Sequence, residues 1–97
     1  MASIEQELHF PGKTPQELYK AALEAYPKAG FKIWKTRELA YLVMANTTNG
    51  NVTINSNIIA RYNAPAVLNL SSEELDENAL KPHAEKIVSE IYAIFET

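Results

Sequence analysis

Residues 39–60 read LAYLVMANTTNGNVTINSNIIA, two strand-like runs joined by the clearest turn signal in the chain. Asn49-Gly50 readily takes the two positive φ angles that a type I′ hairpin requires. Residues 39–45 are apolar on both faces, which is typical of a central or enclosed strand, and residues 52–60 pair back onto them. The stretch therefore predicts an antiparallel β-hairpin.

A strand and a helix precede this hairpin. Residues 4–10 alternate apolar and polar, a period of two that is typical of a half-exposed strand. Thr14 at the N-cap, Pro15 at the first helical position and Glu17 three residues after the cap form a capping box, which predicts a helix start. Pro27 lacks an N–H, so we expect the helix to end or kink just before it.

Two further strands and a second helix complete the chain. Residues 31–36 alternate again, and residues 66–70 form the last strand. The closing helix begins near Asn78, with Pro82 tolerated in its first turn. It has the strongest helical periodicity in the chain. Its apolar stripe consists of Leu80, Ala84, Ile87, Val88, Ile91, Ile94 and Phe95.

The element order β-α-β-β-β-β-α predicts an α+β fold: a five-stranded, mostly antiparallel, curved sheet with two helices packed on one face. The 97 residues fall in the range of a single domain, and no linker divides residues 1–97. Hydrophobic residues make up 46% and charged residues 22% of the chain, which is ordinary globular usage and disfavours disorder.

Composition excludes or disfavours several classes of function. The chain has no cysteine, so disulfides and thiolate chemistry are excluded. No apolar run is long enough to cross a membrane, and the acidic first residues lack a signal-peptide core, so we expect a cytoplasmic protein with no membrane partner. A net charge of −3, with nine scattered Lys and Arg, disfavours nucleic acid as a partner.

No motif for catalysis or for a cofactor is present. His9 and His83 lie in different elements and lack the spacing of a metal site, so we expect no metal. With three glycines in the chain there is no phosphate-binding loop, and we expect no cofactor.

The candidate binding residues are aromatic side chains with polar groups, together with one arginine near the strands. A curved sheet packed on a helix can hold a small apolar ligand in a cavity, oriented by a few polar groups. The alternative is that these rings fill the core and its rim, with their hydroxyl groups reaching water. The candidates are Tyr19, Trp34, Tyr41, Arg61 and Tyr62.

An open sheet face is a second candidate surface. Thr53, Asn55 and Asn57 alternate along one strand and share one of its faces. If both helices cover the other face, this polar stripe stays open, and an open face bearing Trp34 or Tyr41 is typical of a surface for a protein partner or a homodimer. The sequence leaves open whether these two rings lie on that face or in the core, because the register decides it.

The segment that leads from the first strand into the first helix resembles small helix-grip domains. Pro15, Leu18 and Tyr19 resemble the Pro-x-x-hydrophobic-aromatic helix start of START-like (polyketide-cyclase-like) lipid-binding proteins, which also have a long C-terminal helix. The element order and the length resemble a TATA-binding-protein-like half-domain. That second resemblance implies DNA binding by a basic, aromatic sheet face, which the net charge here disfavours. Neither resemblance assigns a role to a particular residue.

Three functions are consistent with these observations. The leading hypothesis is a non-enzymatic binding module that holds a small apolar ligand or a protein partner against the sheet and the C-terminal helix. The alternative is a small cyclase- or isomerase-like enzyme that uses His9 or a buried Glu as general base in a cavity. The third is a structural subunit that forms a homodimer through the open sheet face.

Overall fold

The computed structural model describes residues 1–96, and the predicted α+β fold with its order β-α-β-β-β-β-α is confirmed. The elements are β1 (Ala2–Leu8), α1 (Pro15–Lys28), β2 (Lys32–Arg37), β3 (Leu42–Asn49), β4 (Val52–Ile59), β5 (Ala66–Ser72) and α2 (Glu77–Glu96), with a short 3-10 turn at Glu38–Ala40. The strands form one sheet in the order β1-β5-β4-β3-β2, and every neighbouring pair is antiparallel.

The predicted capping box opens helix α1. The Thr14 hydroxyl accepts from the Glu17 amide at 3.1 Å, and the Glu17 carboxylate accepts from the Thr14 amide at 3.1 Å. That second hydrogen bond holds the pKa of Glu17 below its ordinary value. The sequence predicted an end or a kink of the helix just before Pro27; the helix does not end there but continues through Pro27 to Lys28. Pro27 removes only one hydrogen-bond donor, and the Ala29 amide still reaches the Ala25 carbonyl at 2.9 Å.

The β3–β4 hairpin is confirmed, but its turn differs from the predicted one. Asn49 pairs with Val52, which leaves Gly50 and Asn51 as the two loop residues. Gly50 has φ +64°, and Asn49 and Asn51 do not have positive φ, whereas a type I′ turn needs two such residues. A positive φ at the first loop position alone is typical of a type II′ turn. Gly50 therefore takes the left-handed angle, and Asn49 stays in the strand.

The loop between β2 and β3 replaces the start of a predicted strand. The prediction of a strand from residue 39 is wrong, because Leu39 is fully exposed in the 3-10 turn and Tyr41 has the left-handed angles φ 50° and ψ 44°. β3 is also not the central strand, since β4 occupies the middle of the sheet. The two-sided apolar pattern of β3 arises because Leu42 and Met44 lie on the face opposite the buried Val43.

Both helices pack on the same face of the sheet, as predicted. α1 contacts β2, β3 and β4, whereas α2 contacts β1 and β5, and the two helices contact each other. Asp76 caps α2, because its carboxylate accepts from the Ala79 amide at 2.8 Å. Within residues 1–96, neither helix is both long enough and apolar enough to cross a membrane. The buried residues of α2 are Leu80, Ala84, Ile87 and Ile91.

The covered face holds the core and one buried hydrogen bond between layers. Val43, Ile58 and Leu68 are paired across β3, β4 and β5 and are all buried under the helices. On the same face, the Tyr26 hydroxyl of α1 shares a hydrogen bond of 2.9 Å with the buried Ser56 hydroxyl of β4. Burial raises the pKa of Tyr26 well above its ordinary value. The bond fixes the position of α1 over the central strand.

Replacing Tyr26 with Phe tests that hydrogen bond. The substitution leaves the Ser56 hydroxyl buried without its partner, so the free energy of unfolding in urea should fall by about 1–3 kcal/mol. Adding Ser56→Ala removes the unpaired hydroxyl, so the double variant should be more stable than Tyr26→Phe alone. Tyr92→Phe is the matched control, since Tyr92 is half exposed on α2. Equal losses for Tyr26→Phe and Tyr92→Phe would contradict the role given to this bond.

Candidate functional site

The sheet face away from the helices is open along all five strands. Antiparallel pairing places its side chains in cross-strand rows that run from the edge strand β2 to the edge strand β1, with one residue from each strand. The Arg37 row is Arg37, Leu42, Ile59, Val67 and Glu7; the Lys35 row is Lys35, Met44, Asn57, Asn69 and Glu5; the Lys32 row is Lys32, Asn46, Asn55, Ser71 and Ser3.

Charge on the open face changes sign from one edge to the other. The β2 edge carries Lys32, Lys35 and Arg37, the β1 edge carries Glu5 and Glu7, and all of them are exposed. With strands about 4.8 Å apart, the opposite charges of one row lie roughly 19 Å apart, too far for an ion pair within the chain. The open face is therefore a surface with one basic edge and one acidic edge.

The centre of the open face combines apolar side chains and amides. Leu42, Ile59 and Val67 form the apolar middle of the Arg37 row. In the next row, the Asn69 amide nitrogen donates to the Asn57 amide oxygen at 3.0 Å. The middle of the open face is therefore a mixed surface, apolar in one row and polar in the next.

Trp34 lies on this face at a β-bulge. The pairing of β2 with β3 shifts register between Ile33 and Lys35, which leaves Trp34 as the extra residue. Its side chain is 54% exposed and lines an open cleft of about 300 Å³ together with Met44 and Asn57. Trp34 therefore shares the open face with Lys32, two residues before it, and the bulge brings the next residue, Lys35, to the same face.

Three other predicted residues form a tyrosine cluster of Tyr19, Tyr41 and Tyr62. The Tyr41 ring lies edge-to-face with Tyr19 and with Tyr62, at centroid distances of 6.4 and 5.7 Å. The Tyr41 and Tyr62 hydroxyls share a hydrogen bond of 2.7 Å, which raises the pKa of Tyr41 above its ordinary value. The Tyr41 phenol is therefore protonated near neutral pH, and the cluster anchors the loop before β3 to α1.

Arg61 lies in a separate open cleft at one end of the sheet. Its Nε and Nη2 atoms donate to the Pro65 carbonyl at 3.1 and 2.8 Å, which braces the loop between β4 and β5. This cleft, of about 320 Å³, is also lined by His9, Lys13 and Tyr62. The five predicted residues are therefore divided among the open face, the tyrosine cluster and this cleft.

The largest of the described clefts involves none of the predicted residues. It has a volume of about 490 Å³ and lies between the end of α1, the β3–β4 hairpin and the start of α2. His83 and Lys86 of α2 border it. Because its walls come from separate segments, no local sequence pattern indicates it. Its apolar walls are Ala29, Phe31, Val52, Ile54 and Leu75, and we name it the α2 cleft.

The described residues offer no metal site and no buried acid. Within residues 1–96, no group of three or more His, Asp or Glu side chains could hold a metal ion. The His9 imidazole is exposed 3.8 Å from the Glu7 carboxylate, and no glutamate of that range is buried. A general base in a closed site needs an environment that desolvates it.

Comparison with known proteins supports the fold. No family model matches the chain, and no curated protein matches it. Among solved structures, the chain is similar to a DUF4468 family protein from Bacteroides ovatus ATCC 8483, with a TM-score of 0.53 and 9% sequence identity. The alignment covers 96% of this chain and 81% of that chain. At this identity the likeness shows the fold alone, a small α+β domain.

Sequence reasoning missed the two charged edges. The available signal is the spacing of two residues between Glu5 and Glu7 and between Lys35 and Arg37, which places each pair on one face of its strand. That both pairs lie on the same open face, at opposite edges, follows only from the strand order and the bulge.

Replacing Trp34 with Ala tests its place on the open face. An exposed side chain outside the core contributes little to stability, so the free energy of unfolding should change by less than about 1 kcal/mol. Phe31→Ala is the matched control, since Phe31 is buried against Tyr26 and should lose about 3–5 kcal/mol. Urea denaturation followed by circular dichroism measures both. A loss at Trp34 as large as that at Phe31 would place the indole in the core.

Proposed function

We propose that this chain is a non-enzymatic binding module that holds a protein partner on the open sheet face. The observation that carries the proposal is the set of side chains that this face exposes. One open face is ordinary for an antiparallel sheet and is then usually covered by polar side chains. Here an exposed tryptophan lies on the basic edge strand, and a methionine and an apolar row lie between that edge and the acidic one.

The residues of this face are those that protein interfaces favour. Interfaces are enriched in Trp, Met and Arg, and a few such side chains supply most of the binding energy. Trp34, Met44 and Arg37 all lie on the open face. About half of the Trp34 surface remains exposed in the free chain, so a partner has apolar area to cover. These three residues are the proposed anchors.

The shape of the face suits a protein better than a small molecule. A small-molecule site encloses about 70–90% of its ligand. The cleft beside Trp34 is an open depression of about 300 Å³ on the sheet. Such a depression would contact only one side of a small ligand. A protein surface laid across the sheet would contact all five strands.

Of the two family resemblances, the TATA-binding-protein-like half-domain is the one that we propose. The resemblance implies that the sheet face away from the helices is the binding surface. A START-like domain would instead hold its ligand between sheet and helix, and Tyr26, Ile58 and Leu68 fill that space here. The net charge of −3 and the acidic β1 edge support a protein rather than a nucleic acid as the partner.

A photoreactive amino acid placed at Met44 tests the proposal. Met44 is on the open face, so irradiation in the cells that make the protein should link it to a protein, whether a second copy or a different chain. The matched control is the same group at Lys20, which is exposed on α1, on the other side of the molecule. Denaturing gels and mass spectrometry identify the adducts.

The test compares the protein adducts formed at Met44 with those formed at Lys20. Protein adducts at Met44 that are absent or much weaker at Lys20 are the expected result. Equal yields at the two positions, or no protein adduct at Met44, would contradict a partner on the open face.

Binding of a small apolar ligand is a second candidate function, and the α2 cleft favours it. This cleft is the largest described, its walls are mostly apolar, and it lies against both the sheet and the C-terminal helix. Its His83 imidazole and Lys86 ammonium could orient an acidic head group. The ligand proposed for it is a long-chain carboxylic acid.

A charge placed in the α2 cleft tests this second candidate. A fluorescent fatty acid should bind the wild-type chain, and Val52→Lys should weaken its binding at least about ten-fold, because the ligand chain would desolvate the new ammonium group. Val67→Lys, on the open face, is the control and should bind as the wild type does. Fluorescence titration measures all three. Absence of binding, or equal binding by both variants, would rule out the cleft as the site.

A further inference from the structure

We infer that the partner on the open sheet face is a second copy of this chain, related to the first by a two-fold axis that runs parallel to β4 between two stacked sheets. The inference rests on the proposed function, since it needs the open face to bind protein, and it adds the identity and orientation of that partner. Two-fold dimers in which both copies use the same patch are the commonest assemblies of soluble proteins.

Rotation about this axis stacks each cross-strand row on the same row of the second copy. The strands of the second copy then run across the interface in the opposite order. β1 of one copy then faces β2 of the other, β5 faces β3, and β4 faces itself. Arg37 therefore faces Glu7 of the second copy, and Lys35 faces Glu5 of the second copy. Because symmetry repeats each contact, the dimer contains four pairs of opposite charge.

The middle of each row is also complementary under this axis. In the Arg37 row, Leu42 faces Val67 of the second copy, and Ile59 faces its own equivalent, so apolar groups meet apolar groups. In the Lys35 row, Asn57 faces its own equivalent, and each amide can both donate and accept a hydrogen bond. The same geometry that pairs the charges therefore also matches the central side chains.

The other way to stack the same faces is disfavoured by charge. An axis perpendicular to the strands keeps the strand order, so each edge strand faces its own equivalent. Glu5 and Glu7 would then meet the acidic edge of the second copy, while Lys35 and Arg37 would meet the basic edge. Like charges facing each other oppose association. The charge order of the edges therefore selects the axis parallel to the strands.

Pairing of edge strands is a poorer route to self-association. A β1–β2 pair between copies would be head-to-tail and would continue into a fibre. The bulge at Trp34 interrupts the hydrogen-bond ladder of β2, and charged side chains line both edges. Bulges and charges are the devices by which edge strands avoid such pairing. The face therefore remains as the surface for self-association.

The open face is large enough for a weak, reversible dimer. Five strands about 4.8 Å apart and about seven residues long, at 3.4 Å per residue, cover roughly 24 by 24 Å, or about 600 Å² on each copy. The sum, about 1,200 Å², lies at the lower limit of specific interfaces. We expect a dissociation constant of roughly 1–100 µM.

Sedimentation velocity of the full chain tests the inference. Between about 5 and about 500 µM the wild type should change from one mass to twice that mass, and association should weaken as salt is raised. A basic variant carries Glu5→Lys with Glu7→Lys, and an acidic variant carries Lys35→Glu with Arg37→Glu. Either change turns all four pairs into like-charge pairs, so self-association should weaken at least about thirty-fold.

A mixture of the two variants is the decisive sample. Basic and acidic variants in equal amounts restore four pairs of opposite charge, so the mixture should form a heterodimer although neither variant associates alone. Circular dichroism confirms that both variants are folded. Variants that self-associate like the wild type, or a mixture that stays monomeric, would overturn the inference.

Cysteine cross-linking checks the direction of the axis, since the chain has no native cysteine. Facing sheets pack about 10 Å apart, a distance that a short bis-maleimide spans. Asn57→Cys lies on the axis and should link to its own copy, whereas Arg37→Cys should link only to Glu7→Cys. Lys35→Cys lies in the same row as Asn57, and a link from Lys35→Cys to itself would indicate the perpendicular axis and overturn the inference.

Failure of this inference is distinguishable from failure of the proposed function. A wild type that is monomeric at every concentration overturns the second copy as partner. The proposed function still stands in that case if the photoreactive group at Met44 links to a different protein, and it falls as well if no protein adduct forms.

Discussion

Both helices pack against one face of the sheet, and the Tyr26 hydroxyl of α1 reaches the central strand to bond the buried Ser56 hydroxyl. Side chains alternate between faces along a strand, so this packing buries every second residue and leaves the others outside. A slip of one residue in any strand would exchange its two faces. Which residues form the open face is therefore a consequence of what the helices cover.

The order in which the strands are connected explains why one edge of the open face is acidic and the other basic. The connection through α1 carries the chain from β1 at one edge of the sheet to β2 at the other, and β3, β4 and β5 then fill the space between them. β1 and β2, which follow each other along the chain, are thus the most distant strands of the sheet. The acidic β1 and the basic β2 become opposite edges, and a surface that is complementary to its own rotated copy results.

Local signals in the sequence predicted much of the fold. The Thr14 capping box begins α1 as predicted, because all of its partners lie within one helical turn. The pattern predicted a strand at Leu39 because apolar patterning does not distinguish an exposed loop residue from a buried one. The left-handed backbone angles of Tyr41 cannot be recognised from that pattern either. The face of Trp34 could not be predicted because it depends on the pairing register, which the sequence does not specify.

The candidate site was less accessible to sequence reasoning than the fold. The tyrosine cluster joins Tyr19, Tyr41 and Tyr62 from three parts of the chain, and the positions of the two charged edges can be recognised only once the strand order is known. Contacts between residues distant in the sequence determine both features. Residue chemistry indicated which side chains could bind, and tertiary structure decided which of them act together.

Hydroxyl-radical footprinting at increasing protein concentration tests most directly whether the open face is free in the monomer and covered in the assembly. Oxidation of Trp34 and Met44 should be rapid in dilute protein and should slow as the concentration rises. Oxidation of Tyr92, half exposed on α2, should stay constant. Constant rates at Trp34 and Met44, or protection of Tyr92 in their place, would contradict self-association through the open face of the sheet.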